Sequence, residues 1–343
     1  MANQFADNKT IAVGKEETTP GTMETLTSAD FDARIRDPQV TPIIEIDDEA
    51  SRWARGDHGE DASIMGAQSG TIAFGIKMLW GGAVTTEPNW WKWAKGAGSK
   101  VITYAGTGLG LQPRMENDEK TMTIWVYAIQ RGATPAGLCF QFAGCKGTQT
   151  FGADGVGKPW MAMYTFTGKL VDVVDIANGS VPVPQDLDTT CSDKMLNNTM
   201  LINDVTQRIS NFTLDTGNEI QPIIDQSEST GYSHYVIGSR APRFATNPLM
   251  KEVAEDDVWG KLTSGLTGCL DTYAMGVGDT GLDNKFMLII PKGQLLSAAV
   301  ATRERSVNWD QNYKLLPNGV TGAIADPSLA EEVTWELLQG ARS

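Results

Sequence analysis

The nine residues from Gly70 to Met78, GTIAFGIKM, alternate strictly, with Ile72, Phe74, Ile76 and Met78 on one side and Thr71, Ala73, Gly75 and Lys77 on the other. A period of two belongs to an extended chain whose successive side chains point to opposite faces, so this stretch reads as a strand half buried against a core. Weaker runs of the same kind recur at Ile43–Ile46, Val101–Tyr104, Thr121–Ala128, Leu138–Ala143 and Trp160–Phe166. Within them Met122, Ile124 and Val126 share one face, as do Trp160, Ala162, Tyr164 and Phe166. Further along, strands are predicted between 205 and 214 and at Tyr232–Ser239, Leu270–Met275, Phe286–Ile290, Leu295–Thr302 and Val333–Leu337. Phe212 and Leu214 face one way there, and Asn211, Thr213 and Asp215 face the other. The chain is therefore expected to be mainly β.

Two helices interrupt the strands. Thr86-Glu87-Pro88 offers a cap and a first-turn proline before NWWKWAKGAG, in which Trp90, Trp93 and Ala94 share a face and Gly96 and Gly98 mark the end. Large aromatics at helical spacing pack a helix onto a sheet more readily than they form a sugar or base platform. Thr246-Asn247-Pro248 repeats the cap-and-proline signal and predicts a second helix from Pro248 to about Leu262. Pro88 and Pro248 lie 160 positions apart, and strands precede and follow each in similar order without shared letters. A length of 343 residues accommodates two domains, each with a core. The divisions read as an N-terminal arm at 1–42, a first domain at 43–177, a proline-rich linker at 178–200 and a second domain at 201–343.

Twenty-eight Lys and Arg against 42 Asp and Glu leave a net charge of -14, which opposes tight nucleic-acid binding because phosphates are neutralised by cations. An acidic wall can instead repel DNA and let it pass. Residues 1–10 lack a basic segment followed by an apolar run, and no run of about eighteen apolar residues occurs, so neither a signal peptide nor a membrane-spanning helix is predicted. Cys139, Cys145, Cys191 and Cys269 are scattered, and neither His58 nor His234 has zinc-ligand spacing, so reduced structural thiols and no metal are expected.

No nucleophile, base or metal motif is present, and the acidic runs Asp47-Asp48-Glu49, Glu255-Asp256-Asp257 and Glu331-Glu332 read as solvated surface rather than paired carboxylates. The glycine run Gly106–Gly110 lacks the lysine of a phosphate loop, and Gly278–Asn284 lacks the closing glutamate of a calcium loop, so both read as turns between strands. Triplets with glycosylation spacing, such as Asn211-Phe212-Thr213, carry no weight without a signal peptide. No enzyme and no cofactor are predicted.

Three segments carry a resemblance: GKEETTPGT at Gly14–Thr22, NFTLDTGNEI at Asn211–Ile220, and GSRAPRFATNP at Gly238–Pro248. In order and placement they resemble the tail tube proteins of long-tailed, siphovirus-like bacteriophages. The resemblance implies two tandem tail-tube-type β-barrel or β-sandwich domains, each with one short α-helix, together with an extended arm and loops. It implies a structural virion protein that stacks as rings into a conduit for genome ejection. Three chains would form a pseudo-hexameric ring, or six chains a ring if the duplication is false.

The implied ring-to-ring contacts are the arm Gly14–Thr27, with Glu16, Thr18 and Thr22, the loop 47–68, with Arg52, Arg55, Asp57, Glu60 and Asp61, and the loop 215–231, with Glu219 and Asp225. Asp215 is expected to face the lumen among polar and acidic side chains. Implied partners are further copies of the chain, the tape measure protein and the tail terminator and baseplate proteins. Viral DNA would transit without specific binding, no membrane is involved, and the protein belongs to the virion tail after assembly in the host cytoplasm. The alternatives are a carbohydrate-binding, adhesin-like β-sandwich using Trp90, Trp91 and Trp93 at its surface, and a capsid decoration protein.

Overall fold

The computed structural model describes residues 9–30, 35–47, 64–79, 86–104, 108–113, 120–129, 137–176, 199–202, 205–263, 273–278, 286–303, 306–317 and 333–340. The first half lays down β1 (Lys9–Glu16), β2 (Ile35–Asp47) and β3 (Ile64–Lys77), then helix α1 (Trp91–Gly96). It continues with β4 (Ser99–Tyr104), β5 (Gly108–Pro113), β6 (Met122–Ile129), β7 (Gly137–Ala153) and β8 (Met161–Asp175). The second half begins with β9 (Thr199–Ile202), β10 (Val205–Gln207), β11 (Phe212–Asp215), β12 (Asn218–Ile224), β13 (Tyr232–Arg240) and β14 (Arg243–Thr246). Helix α2 (Val258–Thr263), β15 (Tyr273–Gly278), β16 (Phe286–Arg303), β17 (Ser306–Leu315) and β18 (Glu336–Gly340) complete it. The fold is mainly β, and its strand pairings are antiparallel.

Sixteen strands join in one hydrogen-bonded sheet, whose main path runs β10-β9-β15-β16-β17-β14-β11-β7-β8-β3-β2. β12 and β13 form a separate ribbon. Strand β11 joins the halves: Phe212–Asp215 pairs with Thr150–Ala153 of β7 on one side and with Arg243–Thr246 of β14 on the other. β18 adds a second link by pairing with both β16 and β5.

The core is likewise shared. One buried cluster runs from Ala12 through Phe74, Trp93, Trp160 and Phe212 to Leu337. Ile72, Phe74, Ile76 and Met78 are all 2% exposed or less, as their alternation requires. Phe74 meets Trp93 edge to face at 4.7 Å, while Trp160 meets Phe212 at 4.6 Å and Phe151 meets Trp335 at 5.4 Å across the two halves. Edge-to-face rings add about 0.5–1.5 kcal/mol beyond the area they bury. The linker at 178–200 lies almost wholly outside the described residues.

The helices differ from expectation. α1 has Trp90 at its cap with no side-chain cap bond, so Thr86 does not cap it; the backbone N–H of Trp91 instead donates to Pro88 O at 3.0 Å. Its end follows the glycine signal, with Gly98 at φ +80, a left-handed conformation that glycine adopts without cost.

The predicted helix from Pro248 is corrected to Val258–Thr263. Thr246 closes β14, and Asn247 Oδ1 accepts from the backbone of Ser210 and Asn211 at 3.0 and 2.9 Å. Pro248 O accepts from Trp309 N–H at 2.9 Å and Met250 N–H donates to Val307 O at 3.0 Å, so 248–250 runs extended beside β17. The Asn-Pro pair suits either role, and the pairing offered by β17 decides it. The cap is Asp257, whose Oδ1 accepts from Gly260 N–H at 2.7 Å.

Within the segment read as an N-terminal arm, all eight residues of β1 pair with β6 of the same chain. Of the two glycine-rich segments read as turns, Gly108–Gly110 instead begins β5, where Tyr104 pairs with Gly108, and Gly278 ends β15 paired with Met287; 106–107 and 279–284 lie outside the described residues.

Because Trp93 is 1% exposed and touches both Phe74 and Phe166, Trp93→Ala is expected to cost about 3–5 kcal/mol in urea unfolding. A loss below about 1 kcal/mol would contradict this packing.

Candidate assembly interface

The path of the sheet ends in β2, which pairs with β3 and with no other strand among the described residues. Its free edge is long. β16 is similar over half its length: β15 and β18 reach only as far as Gly293, and Leu295–Arg303 has β17 as its sole strand partner among the described residues. Between these two strands the order β16-β17-β14-β11-β7-β8-β3-β2 is continuous.

Both half-paired stretches carry apolar side chains in solvent. Ile44 and Ile46 on β2 are 48% and 64% exposed, and Val300 on β16 is 59% exposed. Natural edges are usually blunted by charge, brevity or proline. β2 has Pro38 and Pro42, which remove two donors, but it otherwise presents ILE-rich extended chain over Ile43–Ile46.

The sheet face opposite the core can be followed residue by residue. Gln294, Lys314, Arg243, Asp215, Thr150, Met163, Gly75 and Arg36 form one cross-strand row from β16 to β2. Asp215 is exposed on this face, as predicted for a side chain turned from the core. Its row also carries Arg243, Lys314 and Arg36, so the charges along this row are of mixed sign. Arg243 and Lys314 lie directly opposite each other on β14 and β17, an arrangement of like charges that destabilises a pair of strands unless something lies between them.

The other predicted contact residues fall in different places. Glu16 accepts an ion pair from Lys120 at 2.6 Å, Thr18 N–H donates to Glu24 Oε1 at 3.0 Å, and Thr18 and Thr22 are exposed. This segment lies against its own chain because of Glu17, a residue with no predicted role. Glu17 is 1% exposed and accepts from the N–H groups of Gly21 and Gly144 at 2.7 Å each, from Thr123 Oγ1 at 3.0 Å, and from Thr121 Oγ1. Gly21, at φ +78, has room for no side chain, since a Cβ there would lie 2.3 Å from Ser233 O.

Within the predicted loop 215–231, Asn218–Ile224 forms β12, which pairs with β13. Glu219 accepts from Ser239 Oγ at 2.6 Å, and Asp225 accepts from the hydroxyl and N–H of Ser227, bonds that hold its carboxyl below the usual range. Arg52, Arg55, Asp57, Glu60 and Asp61 lie outside the described residues.

The chemistry of isolated groups is unreactive. The thiols of Cys139 and Cys145 are buried and free, and burial pushes Cys139 up to about 11 and Cys145 well above its ordinary value. Trp90, Trp91 and Trp93 are 2% exposed or less, so these rings offer no surface platform for a sugar.

His234 sits at the junction beside Gly144 and faces Glu17, Lys146 and Lys169. Burial lowers its pKa, Glu17 opposes that, and the two lysines add to it. A base whose folded pKa is depressed stabilises the fold above its unfolded value and loses that contribution as pH falls. Its ring is therefore expected to titrate below 6.5 by NMR, with stability declining in the same window. A midpoint above 6.5 contradicts this.

Glu17→Ala leaves buried donors unpaired at about 1–3 kcal/mol each and is expected to lower the stability of the β1 region by on the order of 4 kcal/mol in native-state hydrogen exchange. Unchanged exchange at β1 contradicts the lock.

No protein-family model matches this chain, and no curated protein matches it.

Proposed function

We propose that this chain is the major tail tube protein of a long-tailed bacteriophage, a non-enzymatic subunit that polymerises as stacked rings around a conduit for the viral genome. The observation that carries this reading is the pair of half-paired strands, β2 and the outer part of β16, at opposite ends of a continuous antiparallel run. Backbone donors and acceptors on one such edge find partners on the other edge of a second copy, and the contact is heterologous. A heterologous contact of this kind closes into a ring when the rotation per subunit permits.

The two halves of the chain would then be tandem tail-tube-type domains, 43–177 and 201–343, fused through β11. Three copies make a pseudo-hexameric ring; without the duplication, six do. The face bearing Asp215 would line the channel. Its row sets Arg243, Lys314 and Arg36 against the single acid Asp215, so transit of DNA without specific binding is expected from the resemblance and not from this row. The tape measure protein, tail terminator and baseplate proteins are the expected partners, and the virion tail is the expected location.

Ile44→Lys and Val300→Lys change side chains that are already about half exposed, so each is expected to alter unfolding free energy by no more than about 0.5 kcal/mol. Negative-stain images and sedimentation of the wild type are expected to contain rings or tubes, and either variant to remove them. A wild type that stays monomeric at high concentration with a tail-assembly initiator added overturns the reading.

A further inference from the structure

Five of the more exposed large apolar side chains fall in two places: Ile44, Ile46 and Met65 on the pair β2–β3, and Val300 and Trp259 on β16 and α2. Trp259 is the largest of them and is 70% exposed. The strand residues share the core side of the sheet. Ile35 and Val40 of β2 lie across from Ile76 and Ile72 and pack against the buried cluster, and Ile44 and Ile46 continue the alternation of Val40. Met65 stands directly across from Ile46 and is 63% exposed. The opposite face of this pair carries Glu45, whose Oε1 accepts from Tyr232 Oη of the ribbon at 2.7 Å. The chain itself therefore occupies one face there and leaves the isoleucines of the other in solvent.

α2 lies on the same side of the sheet at the other rim. Ala298 and Val300 of β16 sit across from Gln311 and Trp309, and Ala298 and Trp309 pack against the cluster. Val258 of α2 belongs to that cluster and Leu262 packs on it. Lys261 Nζ stands 5.2 Å from the ring centre of Tyr273, which pairs with Gly293 of β16. Trp259 is thus held on the core side of β16, beside the edge that begins at Leu295.

Strand direction and register bring the two places together. The run from β16 to β2 contains eight antiparallel strands, so β2 and β16 point in opposite directions, and a copy that prolongs the sheet meets the next across an antiparallel junction. From the row of Gln294 and Arg36, Ala299 at the middle of the β16 edge lies four rows one way, as Lys314 to Asp310 on β17. Thr41 at the middle of β2 lies four rows the other way, as Gly75 to Thr71 on β3. Overlap of the two edges needs a stagger of about eight residues per copy, roughly 26 Å, and closing a sheet requires a stagger. That register sets Val40 across from Val300 and Pro42 across from Ala298, core face to core face. Ile44 and Ile46 then arrive at the level of Leu295 and Gly293, beside Tyr273 and α2.

We propose that α2 of one copy lays Trp259 over Ile44 and Ile46 of a second copy, with Met65 at the rim of the contact. One copy supplies the aliphatic knobs and the other the indole, and neither completes this apolar patch alone. The contact rests on the self-assembling reading and adds to the backbone junction a side-chain anchor that selects face and register.

The test uses the full chain. Trp259→Ala is expected to raise the protein concentration at which tubes form by at least about tenfold, with circular dichroism and melting unchanged because the ring already stands in solvent. On assembly the tryptophan emission of the wild type is expected to shift to the blue and resist acrylamide, a change that Trp259→Phe tubes lack. Trp259→Cys and Ile46→Cys chains, mixed and assembled, are expected to form a disulfide between copies under mild oxidation that neither chain forms alone.

Trp259→Ala tubes at the wild-type concentration, an indole equally quenchable before and after assembly, or no cross-link to Ile46→Cys overturns the contact and leaves the tube. Cross-linking of Trp259→Cys chains to one another overturns it in favour of a two-fold contact through α2. A wild type that stays monomeric with a tail-assembly initiator added sinks the tube reading and this contact with it.

Discussion

Unmet backbone hydrogen bonding at the rim of a sheet governs this molecule. Within the run from β16 to β2 the central lengths of the interior strands are held on both sides, so the peptide groups there are satisfied by their neighbours. Among the described residues that satisfaction stops on one side at β2 and along Leu295–Arg303, and isoleucine and valine side chains stand in water at the same places. Water can hydrogen-bond an exposed rim but gains nothing from the apolar side chains. A second copy would satisfy both, and the proposed polymer rests on that.

Two internal joints keep that rim in position. The first is β11, four residues that hydrogen-bond to strands of both halves and place Phe212 against Trp160 and near Phe244. A hinge there would spread the rim-to-rim distance, and the ring packing around Phe212 opposes one. The second is Glu17, whose carboxylate gathers donors from the turn at Gly21, from Thr121 and Thr123, and from Gly144 of β7. It fastens the segment after β1 to the body through hydrogen bonds to a charged acceptor, each worth about 1.5–3 kcal/mol.

Much of the fold was legible where one face is buried and the other wet. β3, β8 and β11 have that character, and their alternation exposed them. β1 escaped because both of its faces are covered: Ala12 lies in the large cluster and Val13 in a second one with Tyr127, Ile129 and Cys139, so no alternation remains. β17 escaped because its core face includes Gln311, buried at 1% and accepting from Tyr313 Oη, which dilutes the apolar pattern.

The tryptophan helix was read correctly as core, whereas the Asn247-Pro248 signal could not distinguish a helix cap from a side chain bridging two extended segments. Of the contact residues suggested by resemblance, Asp215 is on the face turned from the core and Glu219 and Asp225 are on a ribbon. The cavity lined by Ser99, Gln149 and Trp335 was invisible beforehand, because these residues come to it from distant parts of the chain.

Hydrogen–deuterium exchange followed by mass spectrometry, on unassembled and assembled protein side by side, reads the rims directly. The account predicts that amides of Ile35–Asp47 and Leu295–Arg303 exchange fast from the unpaired side in the free chain and become protected on assembly, while Met161–Lys169 of β8, paired on both sides, is protected in both states. Rims already fully protected in the free chain, or left unprotected in the polymer, would contradict it.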